Sequence, residues 1–495
     1  WRRASCRAGY RPAPSRWPSA QLFKRTAHSL FYLLMGVLVA AVLLCAAFAW
    51  RLGQGPVSLS WAVPAIDFVL DQTIPQLRVK LGDLVVTWLG WGDGLDLRLL
   101  NVTASTREGL SVARIPEVGV GLSLEALKRF RLAPTQIHLY GPRLRLVRQE
   151  DGTLEFSFVG TEGDGDATSF DEFVGDALDE PRDPADPFSY LDVVTVTGGR
   201  VAYVDRQLNA EWRGHLSHGQ VLRTGKAMAL GADLRLTAGH DTARARVDAL
   251  AAAATGSVAV QIQLQDFRPA AFASVAPALA PLNSIDVPLD GTTAFTTTWA
   301  GAIRNLRVDI EGGPGTISVT EPLALQLGLD AAAAQQLSVR ELALSGHYDA
   351  AADEVIIAPS GITFGEATTL HLPAPIDQTF PLASIAGHGR YDLAQDALTG
   401  AAFDLDLDGP KVRVEGEVHE LSGDLNGHAE LLIHRVKVDE LGLYWPKVVA
   451  PGGRDWALSH LSSGVLEQGD LSIAFGPTER GTDVTKLDGR AQARG

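Results

Sequence analysis

Apolar and polar residues alternate along most of the chain beyond residue 77. Three clear examples are LDLRLLNVTAST (95–106), VVTVTGGRVAYVD (193–205) and FDLDLDGPKVRVEGEVHEL (403–421). Because successive side chains of a strand point to opposite faces of a sheet, each stretch predicts a strand with one apolar face. The chain is therefore expected to be mainly β.

Helical periodicity is rare by comparison. Short amphipathic helices are predicted at 58–77, at 123–134, where Ser123 is a candidate N-cap, and within 266–279. These helices are too few to cover the apolar faces of so many strands, so two sheets must cover each other or one sheet must form a barrel or trough. Serial hairpins favour one long curled antiparallel sheet, whose apolar inner face contacts something other than protein.

The longest apolar run is LFYLLMGVLVAAVLLCAAFAW (30–50), with 21 residues and no charge. As a helix it reaches roughly 32 Å, enough for a hydrocarbon core of about 30 Å. We predict a transmembrane helix at 29–51 rather than a cleaved signal peptide, because the run is long for a signal sequence and Arg51 follows it. The tail at 1–28 has seven basic residues and no acid, which predicts a cytoplasmic N-terminus.

Charge changes sign after this predicted anchor. Of the 43 basic residues 8 precede residue 52, which leaves 35 against all 58 acidic ones and a net charge of −23 for the rest of the chain. Such a body has no electrostatic basis for binding phosphate backbones, so no nucleic-acid partner is expected. Residues 161–187 hold ten acids and one Arg, and predict a solvated flexible loop between an N-terminal helix-and-strand module (52–160) and a β-repeat region (188–495).

Signatures of chemistry are scarce. The chain has no His-Glu-x-x-His, no Gly-x-Ser-x-Gly and no phosphate-binding loop, so no catalytic residue, cofactor or metal ligand is assigned and an enzyme is not expected. The only cysteines, Cys6 and Cys45, precede both modules, so their stability is expected to depend on strand pairing and apolar burial. The stretch DLDLDGPKVRVE (404–415) satisfies the EF-hand pattern, but alternating flanks favour a β-hairpin with an Asp-Gly turn.

A short motif that occurs twice, which we call the internal echo, supports a repeated β-unit. GHYDAAAD (346–353) and GRYDLAQD (389–396) share Gly-x-Tyr-Asp-x-Ala-x-Asp at a spacing of 43 residues. A period in this range is typical of stacked units of several strands.

One aromatic stretch interrupts the strands, YWPKVVAPGGRDWALSHLSSG (444–464), within a predicted helical turn at 438–464. It resembles the Trp-Pro … Ala-Pro-Gly-x-Arg-x-Trp signature of AsmA-like proteins related to YhdP and TamB. The stretch GPRLRLVRQEDGTLEF (141–156) resembles a strand pair of the same family, and the order of tail, anchor, helix and strands is similar to its N-terminus. Matching signature residues are Trp445, Pro446, Ala450, Pro451, Gly452, Arg454 and Trp456.

The resemblance implies a single-pass inner-membrane protein of Gram-negative bacteria, with most of the chain in the periplasm. Members of this family are longer, so the chain is expected to be a fragment. A repeating β-groove is expected to carry or shield phospholipids between inner and outer membrane and to support outer-membrane integrity. Membrane lipids are the expected partners, with the inner membrane reached through residues 30–50 and outer-membrane or other periplasmic proteins as further candidates.

Two other functions are compatible with the same strands. A scaffold for outer-membrane protein assembly would act through exposed sheet edges without carrying lipid. A closed β-sandwich adhesin would leave no apolar face uncovered.

The lining of the groove is expected to come from the apolar positions of alternating strands. Candidate lipid-facing residues are Leu95, Leu97, Leu99, Val201, Tyr203, Phe403, Leu405, Leu407, Val412 and Val414. For the aromatic turn we consider a lid that contacts lipid and a brace that seats Trp445 and Trp456 over the sheet. We favour the brace because large aromatic residues at turns usually pack against protein.

Overall fold

The structure, a computed structural model, describes most of the chain beyond residue 34. The described residues are 35–40, 42–44, 46–47, 50–51, 54–64, 66–67, 77–90, 94–106, 111–123, 125–126, 129, 131, 133–150, 154–158, 168–169, 187–238, 240–252, 255–273, 277–298, 302–319, 335–372, 377–421, 425–447, 449–478 and 481–494.

Strands dominate the described chain, and 26 of them belong to one sheet. Those of the N-terminal part are β1 (Val57–Ser58), β2 (Leu77–Lys80), β3 (Asp83–Gly90), β4 (Gly94–Thr106), β5 (Ser111–Leu122), β6 (Pro134–Tyr140), β7 (Arg143–Arg148), β8 (Leu154–Phe158) and β9 (Thr168–Ser169). The middle strands are β10 (Val193–Asp205), β11 (Ala210–Thr224), β12 (Ala227–Ala238), β13 (Asp241–Ala252), β14 (Ser257–Phe267), β15 (Ile285–Asp286), β16 (Leu289–Thr298), β17 (Ile303–Gly312), β18 (Gly315–Val319) and β19 (Gln335–Asp349).

The C-terminal third contains the remaining strands and the longest described connections. Its strands are β20 (Glu354–Phe364), β21 (Thr369–Leu372), β22 (Gln378–Pro381), β23 (Ser384–Asp392), β24 (Ala397–Asp406), β25 (Lys411–His419), β26 (Asn426–Lys437), β27 (Val465–Thr478) and β28 (Gly481–Arg494). The short α-helices whose bounds the structure describes, here and in the middle part, are α1 (Pro269–Phe272), α2 (Leu441–Tyr444) and α3 (Pro451–His460), and the described residues 63–64, 66–67 and 125–126 are also helical. The 3₁₀ segments are Ser60–Ala62, Pro187–Tyr190, Pro277–Ser284 and Val438–Glu440.

Strands that follow one another along the chain mostly pair antiparallel in the large sheet. β3 to β6 form a meander, and a second series of hairpins runs from β10 to β28, while β21 and β22 form a small separate sheet. Among the described strands β28 pairs only with β27 and β1 only with β3, so these pairings leave the sheet open. The predicted mainly β, antiparallel architecture is confirmed, whereas its predicted curl is not shown.

A parallel junction joins the N-terminal strands to the rest. β10 lies parallel to β6 through Val193–Thr197 and to β7 through Arg200–Asp205. The predicted modules 52–160 and 188–495 therefore share one continuous sheet. Of the acidic loop between them, the structure describes β9, which pairs with β8, and the beginning of the 3₁₀ segment at Pro187.

From β10 onward, the sheet has two margins at which its strands end, and the connections between strands differ at the two margins. At one, the hairpin margin, turns such as Gly225–Lys226 and Ala350–Asp353 connect the strands. At the other, the insertion margin, the connections carry α1, the β21–β22 hairpin and the α2–α3 pair. These insertions help to bury three apolar clusters against the sheet, centred on Phe272, Val287 and Val436.

The predicted transmembrane helix lies partly outside the described residues. Within 29–51, the described residues are helical, with exposed side chains such as Leu44 and Trp50. No helix in the described part of the chain combines the length and apolar character that crossing a membrane requires. The basic tail at 1–28, Cys6 and Cys45 lie outside the described residues.

Several local predictions are confirmed and two need correction. Ser123 Oγ accepts a hydrogen bond from the Ala126 amide at 3.1 Å, as expected of an N-cap, and DLDLDGPKVRVE forms the β24–β25 hairpin. The helix predicted at 58–77 starts later than expected, because Val57–Ser58 pairs with β3 and Ser60–Ala62 forms a 3₁₀ turn, while the described residues 63–64 and 66–67 are helical. Within the helix predicted at 266–279, residue 267 still belongs to β14, α1 begins with Pro269 at its first position, and 277–279 belong to the 3₁₀ segment Pro277–Ser284.

The internal echo corresponds to two hairpins of the same construction. The Tyr348 and Tyr391 hydroxyls donate to turn carboxylates, Asp353 at 3.4 Å and Asp396 at 2.7 Å. Both aspartates have positive φ, 53° and 49°, which Asp tolerates better than most residues. The echo therefore marks equivalent turns at the hairpin margin.

Candidate functional site

A row of apolar positions crosses the large sheet from one described edge to the other. Because directly paired residues of neighbouring strands lie on the same face, the strand register traces this row, which we call the apolar stripe. It consists of Val57, Val86, Leu97, Val120, Ile137, Val194, Val221, Leu230, Ala249, Val260, Phe295, Leu306, Tyr348, Val355, Tyr391, Leu398, Val418, Gly427, Phe475 and Val484. With strands about 4.8 Å apart, the stripe is about 90 Å long along the sheet.

A second row, the flanking row, lies on the same face as the stripe, and each of its members is two positions from a stripe member on the same strand. Its members are Leu84, Leu99, Val118, Leu139, Val196, Gly219, Ala232, Val247, Ile262, Thr293, Val308, Gly346, Ile357 and Gly389. Thr293 is its single polar member. The apolar surface is thus at least two rows wide from β3 to β23.

The stripe is neither sealed nor fully exposed. Of its members whose side chains the structure describes, Val86 is buried and every other one is half-buried. In the described part of the chain no second large sheet covers this face. A closed sandwich would bury these side chains, so the described structure gives the adhesin alternative no support.

The opposite face of the same strands is polar and charged. Between the stripe and the flanking row, the register traces a polar row that includes Arg98, His138, Gln220, Asp248, Gln261, Arg307, His347 and Arg390. Ion pairs lie along this face, such as Arg307 with Asp309 at 2.8 Å. The hydrogen bond from Arg307, assisted by Ser345, holds the pKa of Asp309 below its ordinary value. The sheet is therefore amphipathic across most of its width.

The N-terminal candidate residues lie on the apolar face where their side chains are described. Leu97 belongs to the stripe and Leu99 to the flanking row, while Leu95 follows the same register on β4. Val201 and Tyr203 join this face after Gly198, whose φ of 68° interrupts the alternation of β10.

Tyr203 is held in place by its neighbours. Its ring stacks on Trp212 with the ring centres 5.2 Å apart, and its hydroxyl donates to Asp205 at 3.2 Å. At this end of β10 the apolar face is therefore occupied by side chains that pack against each other.

The C-terminal candidates divide into sealed and accessible positions. Leu407 is buried under the insertion margin, and Leu405 and Val412 pack against the same cluster. Phe403 and Val414 form a half-buried pair nearer the stripe. Sequence reasoning missed the central members Val260, Phe295 and Leu306, although VAVQIQLQDF (258–267) and NLRVDIEG (305–312) carried the alternation that could have identified two of them.

The aromatic turn is a compact structure held by backbone carbonyls. Trp445 Nε1 donates to the Val449 carbonyl at 2.7 Å. Arg454 donates through Nε to the Trp445 carbonyl at 3.0 Å and through Nη2 to the Gly442 carbonyl at 3.3 Å. Arg454 therefore ties α3 to the end of α2.

The remaining signature residues shape the two helices. Pro446 follows the end of α2, and Ala450 precedes α3 with a left-handed φ of 44°. Pro451 occupies the first position of α3, where its missing N–H costs no helical hydrogen bond. Gly452 follows it, and an added Cβ there would have no atom within 4 Å, so this glycine is not required for close contact.

The two tryptophans differ in their surroundings. Trp445 packs against the cluster of Val436, Leu441 and Ala457, as a brace would. Trp456 does not seat over the sheet: 58% of its surface is exposed, and its ring stacks on His460 at 5.3 Å within α3.

Beneath the aromatic turn lies an apolar cavity of about 420 Å³, which we call the roof cavity. Its roof is formed by Trp445, Pro446, Val449 and Ala450 with Tyr444 beside them. Its floor comes from β26, β27 and β28 through Ile433, Leu466, Gly469, Leu471 and Leu487. The turn thus encloses space against the apolar face as well as bracing it.

Comparisons with known proteins identify no relative, since no family model, no curated protein and no solved structure matches the chain. Among the described residues, no group of three or more His, Cys, Asp or Glu side chains is arranged to hold a metal ion. The apolar face and the roof cavity are therefore the candidate functional site.

Replacing Arg454 by Ala is expected to loosen the roof, because the Trp445 and Gly442 carbonyls lose the donor they share. Losing these hydrogen bonds should lower the free energy of unfolding of the turn by about 1–3 kcal/mol. Arg454→Lys should not restore it, since one ammonium cannot reproduce the guanidinium fork. The measurement is amide hydrogen exchange over 441–460, with exposed Lys447→Ala as the control; unchanged protection in Arg454→Ala would contradict the assignment.

Proposed function

We propose that this chain is a membrane-anchored β-groove protein of the AsmA-like type, which carries or shields phospholipids in the periplasm of a Gram-negative bacterium. Residues 30–50 hold it in the inner membrane with a cytoplasmic N-terminus, and the sheet extends from that membrane toward the outer one. The observation that carries the proposal is the half-buried apolar stripe, which crosses the described sheet without a charged position.

The energetics of lipid transfer support this function. A phospholipid has roughly 30 tail methylenes, and exposing them to water costs on the order of 20 kcal/mol at about 0.8 kcal/mol each. Unassisted passage through an aqueous compartment is therefore negligible. A continuous apolar surface lowers that cost along the whole route and requires no catalytic residue, because no bond is made or broken.

The polar row explains how such a surface remains compatible with water. Side chains such as Gln261 and Arg307 alternate with stripe members on the same strands and are exposed. The sheet can therefore hold acyl chains on one face while its other face stays hydrated. Supporting outer-membrane integrity would follow from a steady supply of lipid along this face.

Photo-crosslinking tests the proposal with matched positions on the two faces. A photoreactive phenylalanine analogue is placed at Leu306 or Val260 on the stripe, or at Arg307 or Gln261 on the opposite face, in the full chain expressed in a Gram-negative host. Mass spectrometry is expected to find phospholipid attached to the first pair and not to the second. Equal labelling on both faces, or no phospholipid on either, would reject the function.

A second candidate, a scaffold for outer-membrane protein assembly, is favoured by one observation. Among the described strands β28 has only one partner, and a free strand edge can pair with an incoming strand. This function predicts protein crosslinks from β28 and no phospholipid on the stripe, so the same experiment separates the two candidates.

A further inference from the structure

The floor of the roof cavity is continuous with the apolar stripe. On β27, the stripe member Phe475 is followed along the same face by Ile473, Leu471 and Gly469, and the last two line the cavity. A ligand on the stripe therefore reaches the cavity without crossing a charged side chain. Asp470 and Arg490 border it, but they pair with each other in register on the opposite face.

The two polar aromatic side chains at the cavity already donate their hydrogen bonds to backbone carbonyls, so they are not available to a ligand. Trp445 Nε1 is committed to the Val449 carbonyl, and the Tyr444 hydroxyl donates to the Leu407 carbonyl at 3.4 Å. The remaining lining is aliphatic side chain or glycine, apart from Asp470 and Arg490, which alternate with Leu471 and Gly489 and so belong to the opposite face. This chemistry matches a saturated or unsaturated alkyl chain and disfavours a ligand that needs hydrogen bonds.

We propose that the roof cavity is a binding site for one alkyl chain, with the polar head of the amphiphile left outside. A cavity of about 420 Å³ is at the small end of the range of ligand pockets, about 300–1,000 Å³, and therefore suits one tail better than a tail pair. This inference rests on the proposed function, because the chain arrives along the stripe. The aromatic turn would then cover a binding site in which one lipid tail is held.

Glycine at position 469 keeps the floor of this site open. An added Cβ there would lie 3.7 Å from Leu466 Cδ2 and 3.8 Å from Ile433 Cβ, which are ordinary contacts. A leucine at this position can therefore be accommodated by extending into the cavity, where it displaces about four methylenes of ligand. Each methylene contributes about a fourfold factor in affinity, so the loss should be at least tenfold.

The test uses tetradecanoic acid with a photoreactive diazirine at its chain end, added to the full chain in detergent micelles. Wild-type protein is expected to be labelled within 433–489, at about one probe per chain, and Gly469→Leu should reduce that labelling at least tenfold. The smaller Gly469→Ala should reduce it less. Thermal unfolding of each variant shows that the sheet is intact.

Gly231→Leu is the matched control, since it adds the same side chain to the polar face on β12, away from the cavity, where an added Cβ would meet only Asp248 Oδ1 at 3.4 Å, and it should leave labelling of 433–489 unchanged. Unchanged labelling in folded Gly469→Leu, or labelling spread evenly over the strands, would overturn the site. The two proposals also fail separately. Phospholipid on the stripe with no effect of Gly469→Leu rejects only the cavity site, and cavity labelling with no phospholipid on the stripe rejects only the proposed transport.

Discussion

Placing three aspartates across the apolar stripe, Val260→Asp, Phe295→Asp and Leu306→Asp together, is expected to stop phospholipid transfer. The three positions are direct neighbours on β14, β16 and β17. Their carboxylates would therefore form a row of three charges that interrupts the apolar stripe in the described middle of the sheet. An ion removed from water without a partner costs several kcal/mol, so tails must leave the surface to pass it. Transfer should fall at least a hundredfold, because each 1.4 kcal/mol corresponds to a factor of about ten.

The opposite face supplies a control with the same charge on the same strands. Ala259→Asp, Thr296→Asp and Asn305→Asp also replace three neutral residues that are direct neighbours in register, and they lie on the polar face. Transfer of a fluorescent phospholipid from vesicles that contain the full chain to acceptor vesicles is compared for the two triple variants. Because the stripe positions are half-buried, their carboxylates stay hydrated and the sheet should remain folded, which circular dichroism checks.

Two results would decide against a role for the stripe. Normal transfer by the folded stripe variant means that lipid does not follow this row. Equal loss in both triple variants means that added charge, and not its face, is responsible. Val260→Asp alone should give a smaller loss and guards against a folding defect in the triple variant.

The sequence predicted the strands well because their signal is local. Alternation over 403–421 is sufficient to predict β24 and β25 and the face that carries Phe403 and Val414. It was also sufficient to separate the hairpin from a calcium loop, since strand periodicity continued on both sides. Where the period of two is unbroken, a single stretch of sequence defines which residues share a face.

Register and closure are long-range properties that this pattern does not encode. Whether Leu405 is sealed or accessible depends on the β21–β22 hairpin, which lies on a separate connection and helps to form the cluster that covers it. Gly198 likewise changes which residues of β10 face inward, through one left-handed φ angle. The stripe is likewise a property of the pairing of 20 strands and of no single one of them.

The aromatic turn shows the same limit at a smaller scale. Its signature predicted an interruption of the strands, and Trp445 packs against protein. The exposure of Trp456 follows from Pro451 at the first position of α3, which fixes where the helix begins and therefore which side chains face the sheet. The cavity could not be inferred, because its floor comes from three strands and its roof from the connection between two of them.

The largest effect on stability is expected at Asp205, at the parallel junction of β7 and β10. Its carboxylate is 2% exposed, accepts a hydrogen bond from the Leu208 amide at 3.0 Å, and contacts Arg148 at 3.4 Å and the Tyr203 hydroxyl at 3.2 Å. Asp205→Ala removes the acceptor shared by the Leu208 amide, Arg148 and Tyr203. Arg148 is 39% exposed and stays hydrated, so the loss comes mainly from the unsatisfied hydrogen bonds and should be about 2–3 kcal/mol. Urea unfolding of the full chain should show this loss, with Asp309→Ala in the exposed pair with Arg307 as the nearly neutral control.

The pH dependence of unfolding distinguishes this network from a simple packing defect. Burial alone would raise the pKa of Asp205, but the Leu208 amide and Arg148 outweigh it, and the net pKa lies below 3.8. Its stabilising contribution is therefore present above the ordinary carboxyl pKa and is lost as the pH falls through the lower folded value.

Tyr203 contributes at the other end of the pH range. Burial, followed by the charge of Asp205, raises its pKa from 10.0 to about 12. Its contribution is therefore complete below pH 10 and disappears as the pH rises through about 12. Asp205→Asn keeps an acceptor for the Leu208 amide but removes the charge, so it should weaken both pH dependences while costing less stability than Asp205→Ala. If the wild type and Asp205→Asn gave the same pH profile of unfolding, the Asp205 carboxylate would not be the group whose charge stabilises this junction.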